Sequence, residues 1–295
     1  MVHAPNRLTL AAFLAIVVFL GVNFVAVKFS NRELPPFWGA TLRFIIASVL
    51  LFGIMRAKKL PLPKGRALLG ACLFGLLAFG INFGLLYWSL VTVSAGMASV
   101  MFATIPLLTL LIATLIGLEK LSFKGILGAA IAIGGISLVF NEQLKFDVPF
   151  ISLLTVFLAA IAAASSGIVV KHFPKSHPIA TNAIGMAVGA LVLAFVSLAA
   201  GETYNLPSLA PTWLALGWLI TSSIVAFILM VWVLSRWSAS ATSYSAVLAP
   251  LVTVTTASIL AGESVTITFL GGAILVLIGV YIGALSSQAL TNKFK

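Results

Sequence analysis

The chain has 295 residues, of which 61% are apolar and only 8% charged, and its formal charge is +11. Soluble domains carry about a quarter charged residues, so polar surface is too scarce here to clothe a water-soluble fold, and a mean hydropathy of +1.20 agrees. The positive charge does not point to nucleic acid, because the basic residues lie in short segments between apolar runs and form no basic stripe.

About 20 apolar residues cross a hydrocarbon core, and the chain divides into ten such predicted helices. The first, 8–28, follows only Arg7, holds Asn23 and is long enough for a retained span rather than a signal peptide. The second, 36–55, opens at Pro35-Pro36 and contains Arg43, the one charge inside a span. Pro61 and Pro63 precede the third, 68–88, which carries Cys72 and Asn82 and ends on Tyr87 and Trp88. The fourth, 95–117, holds Met97, Met101 and Pro106. Only Leu118–Ser122 divides it from the fifth, 121–140, and Glu119, Lys120 and Ser122 favour a tight turn there. Pro149 opens the sixth, 150–171, with Ser165 and Ser166; Pro174 and Pro178 open the seventh, 178–200. Pro207 and Pro211 precede the eighth, 213–235, which contains Trp232. The ninth, 240–261, holds Ser243, Tyr244 and Pro250, and the tenth spans 266–286.

Lysine and arginine collect in cytoplasmic loops of membrane proteins. The N-terminus and every second loop hold thirteen of them, and the opposite loops only Lys28, Arg32 and Lys145. Both termini are therefore expected in the cytoplasm, which requires an even number of spans.

The chain also repeats itself. Residues 94–119 and 238–263 align at one offset of 144: Ser94 with Ser238, Ser99 with Ser243, Pro106 with Pro250, Glu119 with Glu263. The same offset pairs Trp88 with Trp232, Gly128 with Gly272 and Gly135 with Gly279. Each copy would hold five spans, 1–145 and 146–295. An odd number forces the second copy to insert upside down, and inverted repeats place a substrate site near the bilayer midplane.

This doubled S-A-x(10)-P-x(12)-E segment on 5+5 apolar helices resembles the EamA-type drug/metabolite transporter superfamily, over nearly the whole chain. Length, charge and aromatic content look most like its YddG group of bacterial inner-membrane exporters of amino acids, aromatic ones included. The resemblance implies an all-α membrane protein of two inverted five-helix repeats, a central cavity, alternating access without ATP and a functional monomer. The chain's own residues agree about ATP, since no G-x-x-x-x-G-K-[ST] loop is present.

Several residues are candidates for the chemistry. Pro106 and Pro250 each remove a helical hydrogen bond, which makes either a hinge or a packing kink; their symmetric placement favours the hinge. Glu119 and Glu263 end the same two helices, as gate residues or as caps on the start of the next helix. Arg43 would pair with Glu263, bind a substrate carboxylate, or snorkel to the interface. Asn23, Asn82, Ser165, Ser166 and Ser243, with Tyr87, Trp88, Met97, Met101, Trp232 and Tyr244, would line an amphipathic cavity. Each of these also has a packing reading, and Tyr87 and Trp88 suit an interfacial aromatic belt. Gly80–Gly84, Gly185–Gly189 and Gly279–Gly283 are small-xxx-small pairs for close helix contact. Cys72 lacks a partner, and His172 and His177 read as exposed, so neither cofactor nor metal is expected. Expected partners are a small-molecule substrate and membrane lipid. An enzyme acting on lipid-linked substrates is the alternative from another class, but no H-E-x-x-H or cluster of carboxylates supports it, Asp147 being the only aspartate. An exporter of other drugs or metabolites remains the nearer alternative.

Overall fold

A computed structural model describes residues 7–117, 123–144, 148–174, 176–234 and 239–285; side chains 140–144, 171, 231, 234, 239–244, 284 and 285 lie outside that description. The described residues form ten spans in chain order. These are α1 (Arg7–Ser30), α2 (Pro36–Ala57), α3 (Arg66–Ser89), α4 (Ala95–Leu115) and α5 (Phe123–Leu144) in the first half. The second half holds α6 (Phe150–His172), α7 (Pro178–Ala199), α8 (Ala210–Leu234), α9 (Ala239–Ala261) and α10 (Ile267–Val280, continued by a π-helical turn over Tyr281–Leu285). Leu191, Phe195, Leu214, Ile259 and Ile267 stay exposed on the outside of the bundle, as a lipid-facing surface requires. The near face is where α1 begins and the far face is where it ends.

The two halves meet through glycine. A Cβ on Gly135 would stand 2.6 Å from the carbonyl oxygen of Gly272, and one on Gly128 would collide with Gly279 and Gly283. As the index on α5 rises the partner's falls, so the helices run antiparallel. Gly128 and Gly272 are repeat mates at the offset of 144, as are Gly135 and Gly279. Each therefore touches the mate of the other, the pattern that an inverted two-fold produces.

Glycine also joins α3 to α7. Gly75 lies against the backbone of Gly185, and Gly189 against Phe79. At that contact α3 contains a π-helical turn, Leu76–Ile81, a feature frequent at functional sites. No sequence signal announced it.

The two proline helices differ. The fourth span is two helices, Ala95–Phe102 and Ile105–Leu115, broken at Ala103 and Thr104. The Thr104 amide turns back to Met101 O at 3.1 Å. Pro106 thus sits in the first turn of the second piece, where a missing N–H costs little. By contrast α9 runs unbroken through Pro250. A hinge or a packing kink was the expectation at each proline; the chain breaks ahead of the first and runs through the second.

Candidate functional site

Arg43 sits on the eighth residue of α2, about 10 Å below its far-face end at 1.5 Å per residue. It is fully buried, which rules out snorkelling. Its Nε donates to Ser223 Oγ at 2.8 Å, in the middle of α8, and Nη1 to Tyr87 Oη at 3.5 Å, on α3. The guanidinium carbon lies 5.0 Å from the Phe44 ring centre and 4.8 Å from that of Phe83, within range for attraction to the ring faces. Nη2 is buried without a hydrogen-bond partner.

Around this group the aromatics form one cluster. Phe44 packs on Phe79 and Phe83 at 5.1 and 4.9 Å, and Phe79 meets Phe227 of α8 at 5.3 Å. Asn82 is buried and donates to Ala78 O, leaving its Oδ1 unpaired. Sequence reasoning missed Phe44, Phe79, Phe83, Ser223 and Phe227. The signal for part of the set was there, since Phe79, Phe83 and Tyr87 recur every four residues and so share one helix face.

Two clefts enter the bundle from opposite faces. The near-face cleft, about 270 Å³, is mostly apolar and is lined by Leu51, Asn182, Ile224, Phe227 and Trp232, with His177 at its rim. Phe227 of its wall packs on Phe79, which packs on Phe44 beside Arg43. The far-face cleft, about 320 Å³, is lined by Lys28, Thr92, Ser94, Glu263, Thr266 and Phe269 among others.

Carboxylates bind the far face together. Glu263 accepts from the Ala95 and Gly96 amides at 2.8 and 3.1 Å and from Lys28 Nζ at 3.1 Å. Glu202, in the α7–α8 connection, accepts from the Phe37 and Trp38 amides at 3.1 and 2.8 Å. Glu33, between α1 and α2, accepts from Ser208 Oγ at 2.6 Å and from the Leu209 amide. Helix starts leave amides unpaired, and an anion there complements the helix dipole. The Ser208 hydroxyl foremost, then the Thr212 hydroxyl and the two amides, hold Glu33 down at a pKa of about 2. Each carboxylate caps a helix distant in sequence, α4, α2 and α8 respectively.

These contacts correct two expectations. Glu263 does not cap the following helix; Thr266 does, accepting from the Phe269 amide. Nor does Glu263 pair with Arg43, because it is held at the far-face end of α9 by Lys28 and α4. Of the proposed lining residues, Tyr87 and Met101 are buried in the interior and Trp232 lines the near-face cleft. Asn23 is taken up by α8, its Oδ1 accepting from Trp218 Nε1 at 3.1 Å and Ser222 Oγ at 2.7 Å. Trp88 is 37% exposed at the end of α3, the position of an interfacial aromatic. Ser165 and Ser166 bond to carbonyls of their own helix. His172 and His177 are exposed as expected. Glu119, and the side chains of Ser243 and Tyr244, lie outside the described residues.

A family model described as the EamA-like transporter family matches residues 7–141 and again 150–284. The chain is 29% identical to an uncharacterized transporter of Archaeoglobus fulgidus, over 90% of this chain and 95% of the relative. It is 29% identical to the uncharacterized inner membrane transporter YedA of Escherichia coli, over 70% and 67%. A "Probable amino-acid metabolite efflux pump" of Salmonella typhimurium is 27% identical over 91% and 92%. One solved crystal structure superimposes over 97% of this chain and 99% of its own, with a TM-score of 0.65 at 15% identity.

Proposed function

The chain belongs to the EamA-like transporter family, and from that premise we propose that it is a secondary transporter exporting small metabolites, amino acids including aromatic ones, by alternating access through a central cavity. The observation that carries this reading is the pair of clefts entering from opposite faces of an inverted-repeat bundle. A carrier of this kind closes one entrance while opening the other around a fixed central site. Arg43, Tyr87, Asn82 and the phenylalanine cluster are that site, and Trp232 flanks its near-face approach. The break ahead of Pro106 in α4 and the proline inside the continuous α9, Pro250, are the hinges. Glu263, with Glu202 and Glu33, forms the far-face latch, because separating those helices means withdrawing carboxylates from helix starts.

The protein functions as a monomer in the bacterial inner membrane, with both termini cytoplasmic and each half of the chain, 1–145 and 146–295, contributing one repeat. In that orientation the near-face cleft opens to the cytoplasm, where an exporter loads. Counterflow of labelled amino acids into proteoliposomes, against protein-free liposomes, tests the reading. Saturable exchange, strongest for large apolar amino acids, is expected. Its absence for every amino acid, in protein that elutes as one folded species, would overturn the amino-acid assignment.

A further inference from the structure

Arg43 raises a question that the transport reading leaves open: which part of the cargo it recognises. A guanidinium buried about two turns inside a span is expensive and ordinarily finds an anion. Among the described residues it has none. Glu33, Glu202 and Glu263 are committed to helix starts on the far face. Its contacts are a serine hydroxyl, a tyrosine hydroxyl at long range and two ring faces, all uncharged. Nη2 keeps its N–H groups unpaired, beside an Nη1 that is only weakly engaged. That edge of the guanidinium has the geometry that receives a carboxylate with two parallel hydrogen bonds.

An ammonium meets the opposite situation. It would enter a site whose one fixed charge is positive, with no carboxylate among the described residues to receive it. The aromatic cluster beside Arg43 supplies area for a flat apolar body.

We infer, resting on the transporter reading, that this site recognises its cargo as an anion, an aromatic or bulky apolar monocarboxylate whose amino group is dispensable. Amino acids bind through their carboxylate, and the desamino acid of the same shape binds at least as well. The Nε–Ser223 and Nη1–Tyr87 contacts aim the free edge of the guanidinium, and Phe44 and Phe83 hold its plane.

The test uses three probes of one shape: 3-phenylpropionate, L-phenylalanine and phenethylamine. Thermal unfolding of the purified full chain is followed against the concentration of each, since a ligand that binds only the folded state raises the melting temperature. The acid is expected to bind at least about tenfold more tightly than the amine, the scale of a charge-assisted hydrogen bond, with phenylalanine no tighter than the acid. Arg43→Gln should abolish stabilisation by the acid. Ser223→Ala, a milder change in case Arg43→Gln does not fold, should weaken it while leaving the amine unchanged. Equal or better binding of phenethylamine overturns the inference, as does no binding of any probe or full stabilisation by the acid in Arg43→Gln. The transporter reading stands or falls separately, on whether proteoliposomes exchange any solute at all.

Discussion

Two of the places where the halves of this protein touch follow different physics. At the α5–α10 crossing the contact is glycine against glycine, backbone on backbone. Around Arg43 it is charge, hydroxyl and aromatic ring, drawn from α2, α3 and α8. The first region gains from close approach and dispersion, which in lipid replace the hydrophobic effect as the force between helices. The second leaves donors and acceptors unfinished, as in Nη2 of Arg43 and Oδ1 of Asn82, at a stability cost that a ligand can recover. The difference separates a scaffold from a working site.

The largest expected effect breaks the scaffold. A side chain on Gly128 must displace the backbone of Gly279 and Gly283, which cannot yield as a side chain would. Gly128→Leu should prevent recovery of folded protein, and Gly128→Ala should cost about 1–3 kcal/mol. Unfolding of purified protein in detergent measures this. If Gly128→Ala is as stable as wild type while Arg43→Gln unfolds, the assignment of scaffold and site is reversed.

How far the two regions were legible in the sequence follows from the same difference. The crossing could be foreseen because the repeat pairs Gly128 with Gly272 and Gly135 with Gly279, and glycine in an apolar helix has few other uses. The ten spans followed from hydropathy, which the bilayer makes nearly sufficient. Arg43 stood out as the only charge within a span, but its partners did not, since Ser223 lies 180 residues away and serines are common in such helices. The Glu263 cap was misplaced for a related reason. Sequence reasoning sought a cap next in the chain, whereas Glu263, Glu202 and Glu33 reach helices brought near only by the fold. Asn23 accepts from Trp218 and Ser222 of α8, and an amide that binds solute and one that binds a neighbouring helix look identical in sequence.

The next effect concerns the two prolines proposed as hinges. Pro106 lies just beyond a break in α4, whereas Pro250 sits in a continuous helix pinned to α1: Thr253 Oγ1 donates to Gly21 O at 2.9 Å, and a Cβ on Gly21 would stand 2.6 Å from that of Val252. Pro106→Ala should let α4 close into one helix and slow transport roughly tenfold, equivalent to about 1.4 kcal/mol on the barrier. Pro250→Ala should slow it less, with insertion intact in both. Initial rates of counterflow decide. Unchanged rates in both variants would remove the hinges from the mechanism, and a larger loss at Pro250 would reverse the comparison.

A smaller effect separates the two tryptophans of the repeat. Trp232 lines the near-face cleft and Trp88 is half exposed at the end of α3. Trp232→Ala should weaken transport of aromatic cargo more than of small cargo, by a few-fold, in keeping with the roughly 1 kcal/mol of an aromatic contact. Trp88→Ala should affect both alike and weakly. Competition between phenylalanine and alanine for uptake reads the difference, and equal losses in Trp232→Ala would remove it from the cleft's function.

The smallest expected effect is that of pH on the Glu33 cap. Its carboxyl, ordinarily at 4.5, is held at about 2, first by the Ser208 hydroxyl and then by the Thr212 hydroxyl and the amides of Leu209 and Ser208. A carboxylate with a depressed pKa contributes fully above its unfolded value and loses that contribution only as pH falls toward the folded one. Between pH 5 and 8 the cap on α8 therefore stays ionised in this conformation. Glu33→Gln should lower the transport rate uniformly, with a pH profile parallel to that of wild type. If a pH dependence of wild type over this range disappears in Glu33→Gln, the latch is itself a proton carrier, and the far face belongs with the working site rather than with the scaffold.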